Sequence, residues 1–244
     1  MLNNKAKPPK WLKDPQGLLE FYIQDLNVAP IKKLIRENPG ICNLRRDFCP
    51  LATLMFAGLG GYHGRDQSAL VKQVGLILIN EGGADINKVD SQGKAPLFYA
   101  VLTGNGERCA FCLDQGADPS MSGSSEFSPL ITALMRNQPL IALMLIKRGA
   151  NVRVEGGGAP ANGALYYAVK LDVFFRREEQ NMWLWAVRYN IIEALLERGA
   201  DPNQYFYDKN PQGYVSRTKP LQLAKDSVQP DIYFLLRAFK ATAK

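Results

Sequence analysis

The sequence predicts an all-α solenoid of helix–turn–helix repeats that carry extended finger loops. Two observations carry this reading. A Gly-Ala-Asp/Asn signature recurs as Gly83-Ala84-Asp85, Gly116-Ala117-Asp118 and Gly149-Ala150-Asn151, with 33 residues from Asp85 to Asp118 and 33 again to Asn151. A Pro-Leu pair keeps step, with Pro96-Leu97 and Pro129-Leu130 also 33 apart. A fixed period of this size marks stacked repeats rather than one closed core. A further signature, Gly199-Ala200-Asp201, follows a longer interval.

The elements follow from the same residues. Pro96 and Pro129 suit the first turn of a helix, where no amide partner is lost. Small Ala100 and Ala133 let paired helices approach closely. Gly116, Gly149 and Gly199 suit the position just past a helix end, where a left-handed backbone is needed. The run Asp90-Ser91-Gln92-Gly93-Lys94-Ala95-Pro96-Leu97-Phe98-Tyr99-Ala100-Val101-Leu102-Thr103-Gly104-Asn105 resembles the ankyrin pattern D-x-x-G-x-T-P-L-H-x-A-A-x-x-G-N nearly position by position. The resemblance is strongest over 83–153, continues at 186–203 and 218–236, and is faint before residue 44. The histidine usual after Pro-Leu in ankyrin repeats is absent, its places holding Ala52, Phe98, Ile131, Tyr166 and Gln222. The preceding Thr survives only as Ser128, against Cys49, Ala95, Gly163 and Lys219 elsewhere. Apolar packing is therefore expected to replace most of the polar ties between repeats.

Residues 1–10 read as a mobile basic tail. Residues 11–239 read as a single ankyrin-repeat domain of about six repeats, at 11–43, 44–87, 88–120, 121–153, 154–203 and 204–239. The first is degenerate, with helices expected around Leu18–Leu26 and Ile31–Glu37. Atypical end repeats are expected because they cover the exposed ends of a stack. Insertions fall near 59–73, 171–185 and 205–214. Each is either a tolerated surface excursion, since longer loops cost little entropy, or a binding loop, since solenoid insertions gather on one face.

Composition removes several function classes. At 46% hydrophobic and 22% charged residues, this is an ordinary globular chain. The longest aliphatic run, Leu76–Ile79, is too short to span a bilayer. Met1–Lys13 has four lysines but no following apolar stretch, so no secretory signal is predicted. Four cysteines in a chain of this length are no disulfide framework, which points to a reducing, cytoplasmic setting. Cys109 and Cys112 fall on core positions of a second helix and lack a second pair at metal-site spacing. They read as small buried hydrophobes, and neither metal nor cofactor is expected. The lone histidine, His63, stands in the first insertion with no nucleophile placed beside it. Gly156-Gly157-Gly158 lacks the Lys-Ser/Thr that a phosphate loop needs. The chain is therefore read as no enzyme.

The net charge of +7 sits at the ends, with +4 in residues 1–50, −1 in 51–203 and +4 in 204–244. A nucleic-acid groove would want positive charge along the middle, so none is expected to bind. Basic ends suit an acidic protein partner or an anionic surface.

The ankyrin resemblance implies a non-catalytic scaffold or adaptor, monomeric, that binds a protein across the concave face of fingers and first helices. Carried over by position, the contact residues are Arg45, Arg46, Phe48 and Phe56 in the second repeat. The third supplies Ser91, Gln92, Lys94, Leu102 and Thr103. The fourth supplies Ser124, Ser125, Phe127, Met135 and Arg136, and the sixth Val215, Ser216 and Thr218. Exposed aromatic, Met and Arg residues have hot-spot composition. Phe48 and Phe127 have an alternative reading, folded back onto neighbouring fingers. Trp183 and Trp185 form a second candidate site in the fifth-repeat insertion; two residues apart, they cannot share one helical face. In its diverged repeats and irregular insertions the chain is similar to ankyrin effectors that intracellular bacteria deliver into host cells. The alternative is a regulatory subunit or inhibitor of a partner enzyme.

Overall fold

The structure, a computed structural model, describes residues 7–10, 12–44, 48–57, 67–121, 128–152, 163–171, 182–203, 205–209, 215–226 and 229–242; the side chains of 182–185, 206–209, 215–217 and 240–242 fall outside that description. The chain divides into two compact bodies, Met1–Ser125 and Glu126–Lys244.

The N-terminal body holds three helix pairs: α1 (Pro15–Gln24) with α2 (Val28–Glu37), α3 (Pro50–Phe56) with α4 (Ser68–Asn80), and α5 (Pro96–Leu102) with α6 (Gly106–Asp114). The first helices pack in series, α1 on α3 and α3 on α5, while α4 packs on α6. Pro15, Pro50 and Pro96 each stand at the start of a first helix, where the missing amide costs nothing. Asp14 caps α1 by accepting from Gly17 N at 2.8 Å, and Asn105 caps α6 by accepting from Arg108 N at 3.1 Å. Helix α4 begins at Ser68, inside the stretch read from sequence as insertion.

The C-terminal body repeats the plan with α7 (Pro129–Met135), α8 (Pro139–Lys147), α9 (Ala164–Lys170), α10 (Met182–Glu197), α11 (Pro220–Asp226) and α12 (Pro230–Thr242). Here α7, α9 and α11 pack in series, as do α8, α10 and α12. The Ser128 hydroxyl caps α7 by accepting from Ile131 N at 3.2 Å. A hairpin precedes α11: β1 (Phe206–Lys209) pairs antiparallel with β2 (Val215–Thr218), Phe206 opposite Thr218 and Lys209 opposite Val215. The sequence reading placed a long irregular finger there. Aromatic and β-branched residues at either end of it favour extended pairing instead. No central sheet occurs among the described residues.

The repeated signature has a local cause. Gly116, Gly149 and Gly199 have φ of +85°, +93° and +87°, a backbone that L side chains resist. The next residue, Ala, then turns its amide back onto the helix end: Ala117 N donates to Cys112 O at 3.0 Å, Ala150 N to Leu145 O at 3.0 Å and Ala200 N to Leu195 O at 2.9 Å. This is a Schellman closure. The Asp that follows closes a small turn of its own, with the Oδ1 atoms of Asp85, Asp118 and Asp201 each accepting from the amide two residues on at 2.8 Å. Gly, Ala and Asp therefore each have a distinct backbone task.

Adjacent repeats are also tied by polar bonds, chiefly from asparagines outside the Thr and His positions. The Asn87 amide donates to Gly116 O at 3.2 Å and accepts from Asp118 N at 2.8 Å. Asn43 makes the same reach one repeat earlier, donating to Gly83 O at 2.7 Å. Cys49, in the place of the missing Thr, donates its Sγ–H to Lys88 O at 3.3 Å. The site of the missing histidine is apolar as expected, with Phe98 and Ile131 buried.

Candidate functional site

The N-terminal body carries a recess of about 540 Å³ formed by first helices and the fingers before them. Helix α1 contributes Glu20, α3 contributes Ala52, Thr53 and Phe56, and α5 contributes Tyr99 and Leu102. Phe48 and Cys49 come from one finger, and Asp90, Ser91, Gln92 and Lys94 from the next.

Asp90 organises its finger. Its Oδ1 accepts from Gln92 N at 2.8 Å and Lys94 N at 3.0 Å, and its Oδ2 accepts from the Tyr99 hydroxyl. Gly93, at φ +68°, completes the turn. Burial, aided by the Asp90 hydrogen bond, pushes the Tyr99 hydroxyl well above its ordinary pKa, so it stays a donor. The Tyr99 ring packs edge-on against Phe56, centroids 5.0 Å apart. Phe56 is nonetheless 45% exposed. Lys94 reaches Gln92 Oε1 at 3.2 Å and lies 5.2 Å over the Phe98 ring.

Phe48, Phe56, Ser91, Gln92, Lys94 and Leu102 thus share one recess. In the C-terminal body, Met135 is 48% exposed at the end of α7, beside exposed Arg136. Arg45, Arg46, Ser124, Ser125 and Phe127 lie outside the described residues. Trp183 and Trp185 are on α10, their side chains outside the description. Val215, Ser216 and Thr218 lie on strand β2. Position-by-position reading missed Glu20, Asp90 and Tyr99. Glu20 sits in the degenerate first repeat, and the other two stand at positions read as framework.

The four thiols, Cys42, Cys49, Cys109 and Cys112, are buried and held in the protonated form at neutral pH. Burial pushes Cys42 and Cys49 up to about 11 and Cys109 up to about 12, and raises Cys112 further in the same direction. A nucleophilic or metal-binding cysteine needs the opposite shift. Among the described residues, no cluster of His, Cys, Asp or Glu is arranged to hold a metal, and no helix is long and apolar enough to cross a membrane.

Arg108 is a buried guanidinium that no sequence signal marked. From α6 it donates to the carbonyls that end α3: Leu54 O at 3.4 Å, Met55 O, and Ala57 O at 2.7 Å. Burial lowers its pKa. Its place is structural, clamping the far end of the helix that presents Thr53 and Phe56.

Stacked helix pairs, Schellman-closed ends and Pro-started first helices define a helical-repeat fold. The ankyrin-repeat family model, in three copies, matches residues 66–155, so that stretch of the chain carries ankyrin-type repeats. A search of curated proteins finds similarity to the transient receptor potential channel pyrexia of Drosophila melanogaster, 30% identical over 129 residues. That match takes in 52% of this chain and 12% of the fly protein, so the chain spans only a small part of that relative's length. Among solved structures, an ankyrin repeat domain from Acinetobacter baumannii AYE superposes with a TM-score of 0.62 at 22% identity, over 91% of this chain and 97% of that one. That likeness is one of fold. Ankyrin repeats generally mediate protein–protein interaction and are typically non-enzymatic.

Proposed function

We propose that the chain is a non-catalytic scaffold that recognises a protein partner through the first helices and fingers of its repeats, with the N-terminal recess as the contact centre. One observation carries this: an exposed aromatic, Phe56, stands in a recess whose walls are held by a backbone-anchored Asp90 and a buried Tyr99. A large apolar anchor on a pre-organised surface is the arrangement that concentrates binding free energy. Arg136 and Met135 supply a second exposed pair in the C-terminal body.

The test is affinity capture from cell lysate, with the full chain compared against Thr53→Arg and Leu102→Arg. Both substitutions fill the recess from half-buried positions. A protein retained by the parent chain and lost from both variants is the expected result. Unchanged capture by both, with loss on Met135→Arg or on Trp183→Ala, moves the contact to the C-terminal body. Phe56→Ala should weaken binding by about 1–2 kcal/mol if it is an anchor.

A further inference from the structure

We infer that the recess takes a basic side chain, arginine or lysine, presented by a segment of the partner protein. This rests on the binding reading above and adds the chemistry of what is bound. The charge on the recess wall decides it. Among the described residues, two carboxylates, Glu20 and Asp90, line the recess against one ammonium, Lys94. That ammonium is held by Gln92 Oε1 and the Phe98 ring, both neutral, so the described lining keeps one net negative charge. The Asp90 carboxylate is fixed in place by two backbone amides and the Tyr99 hydroxyl, all neutral donors, so its negative charge stays uncompensated by them. Glu20 makes no ion pair or hydrogen bond among the described residues and is half-buried at the recess wall.

The aromatic wall favours the same occupant. Phe48, Phe56 and Tyr99 border the recess together. An aromatic face attracts a cation through its negative π cloud, most strongly where water is excluded. A planar guanidinium can stack on a ring while donating to a carboxylate. A partner carboxylate would meet like charge from both Glu20 and Asp90, which opposes binding. Positive charge at the ends of this chain draws acidic surfaces over longer range. The recess discriminates at close quarters, and the two effects act on different parts of a partner.

The experiment selects a phage-displayed library of random dodecapeptides on the full chain. Selected peptides are synthesised and titrated against the parent chain, Thr53→Arg, Glu20→Gln and Phe56→Leu, with melting curves to verify folding. The expected result is a shared Arg or Lys whose replacement by Ala abolishes binding, with affinity falling roughly tenfold on Glu20→Gln and measurably on Phe56→Leu. Peptides that Thr53→Arg blocks, but that carry no essential basic residue or ignore Glu20→Gln, overturn the charge assignment and leave the binding reading standing. Peptides still bound by Thr53→Arg, or no selected peptide at all, overturn both.

Discussion

Arg108 shows how one residue can hold a site it does not touch. Its guanidinium supplies N–H donors to carbonyls at the end of α3, groups that a helix cannot satisfy from within. Lysine has neither the fork nor the reach to meet several acceptors at once. Arg108→Met keeps much of the volume but takes this donor from Met55 O and Ala57 O, while Leu54 O keeps its bond from Ala57 N. A loss of about 2–3 kcal/mol in unfolding free energy is expected. Urea titration measures it, and an unchanged midpoint would show that water replaces the guanidinium at no cost. The residue could not be found in the sequence. It precedes core Cys109 in a helix whose exposed positions are also charged, and only the fold brings the end of α3 within reach.

At the level of elements, the closeness of α4 and α6 is set by a missing side chain. A Cβ at Gly75 would stand 2.4 Å from Phe111 Cζ and 2.7 Å from Phe111 Cε1. Phe111 is only 5% exposed, so its ring has little room to move. Gly75→Ala gains about 1 kcal/mol in helix propensity, but overpacking of a core contact costs about 1–3 kcal/mol. Net destabilisation is expected, and Gly75→Ala combined with Phe111→Leu should recover most of it. Thermal melts of the single and double variants decide this; a stabilised Gly75→Ala would mean that the helix pair separates freely.

The elements were largely legible because their signals are local. Pro at a helix start and Gly past its end act on their own backbone, so Pro96, Pro129, Gly116 and Gly149 could be read in isolation. The recess was half legible for the same reason. Positional matching named Phe48, Phe56, Ser91, Gln92, Lys94 and Leu102, all of which line the recess. Glu20 lies where the register fades, and the Asp90–Tyr99 hydrogen bond joins a finger to a helix face. The hairpin at 206–218 was missed because its pairing arises in a stretch outside the period, where repeat logic is silent.

For the molecule as a whole, the buried acids set a limit at high pH. The ordinary thiol value is 9.0, whereas the folded chain holds Cys42 and Cys49 near 11 and Cys109 near 12, and raises Cys112 and Tyr99 beyond that. Above 9.0 the unfolded chain sheds thiol protons that the native chain keeps. The unfolded state then binds fewer protons, and stability must fall with rising pH. Below 9.0 the contribution is fully present. A denaturation midpoint that holds steady up to that value and declines through the range 9 to 12 is expected, with a shallower decline in Cys109→Ala. A midpoint flat to pH 11 would mean that the thiols ionise in place. The joint made by Asn87 has a different consequence. It grips the following turn through Gly116 O and Asp118 N, a backbone carbonyl and an amide N–H that every residue type except proline provides. Such a coupling does not care which side chains come next. A gene could therefore lengthen or shorten this array by whole 33-residue cassettes, altering the face offered to partners while inheriting the joinery unchanged.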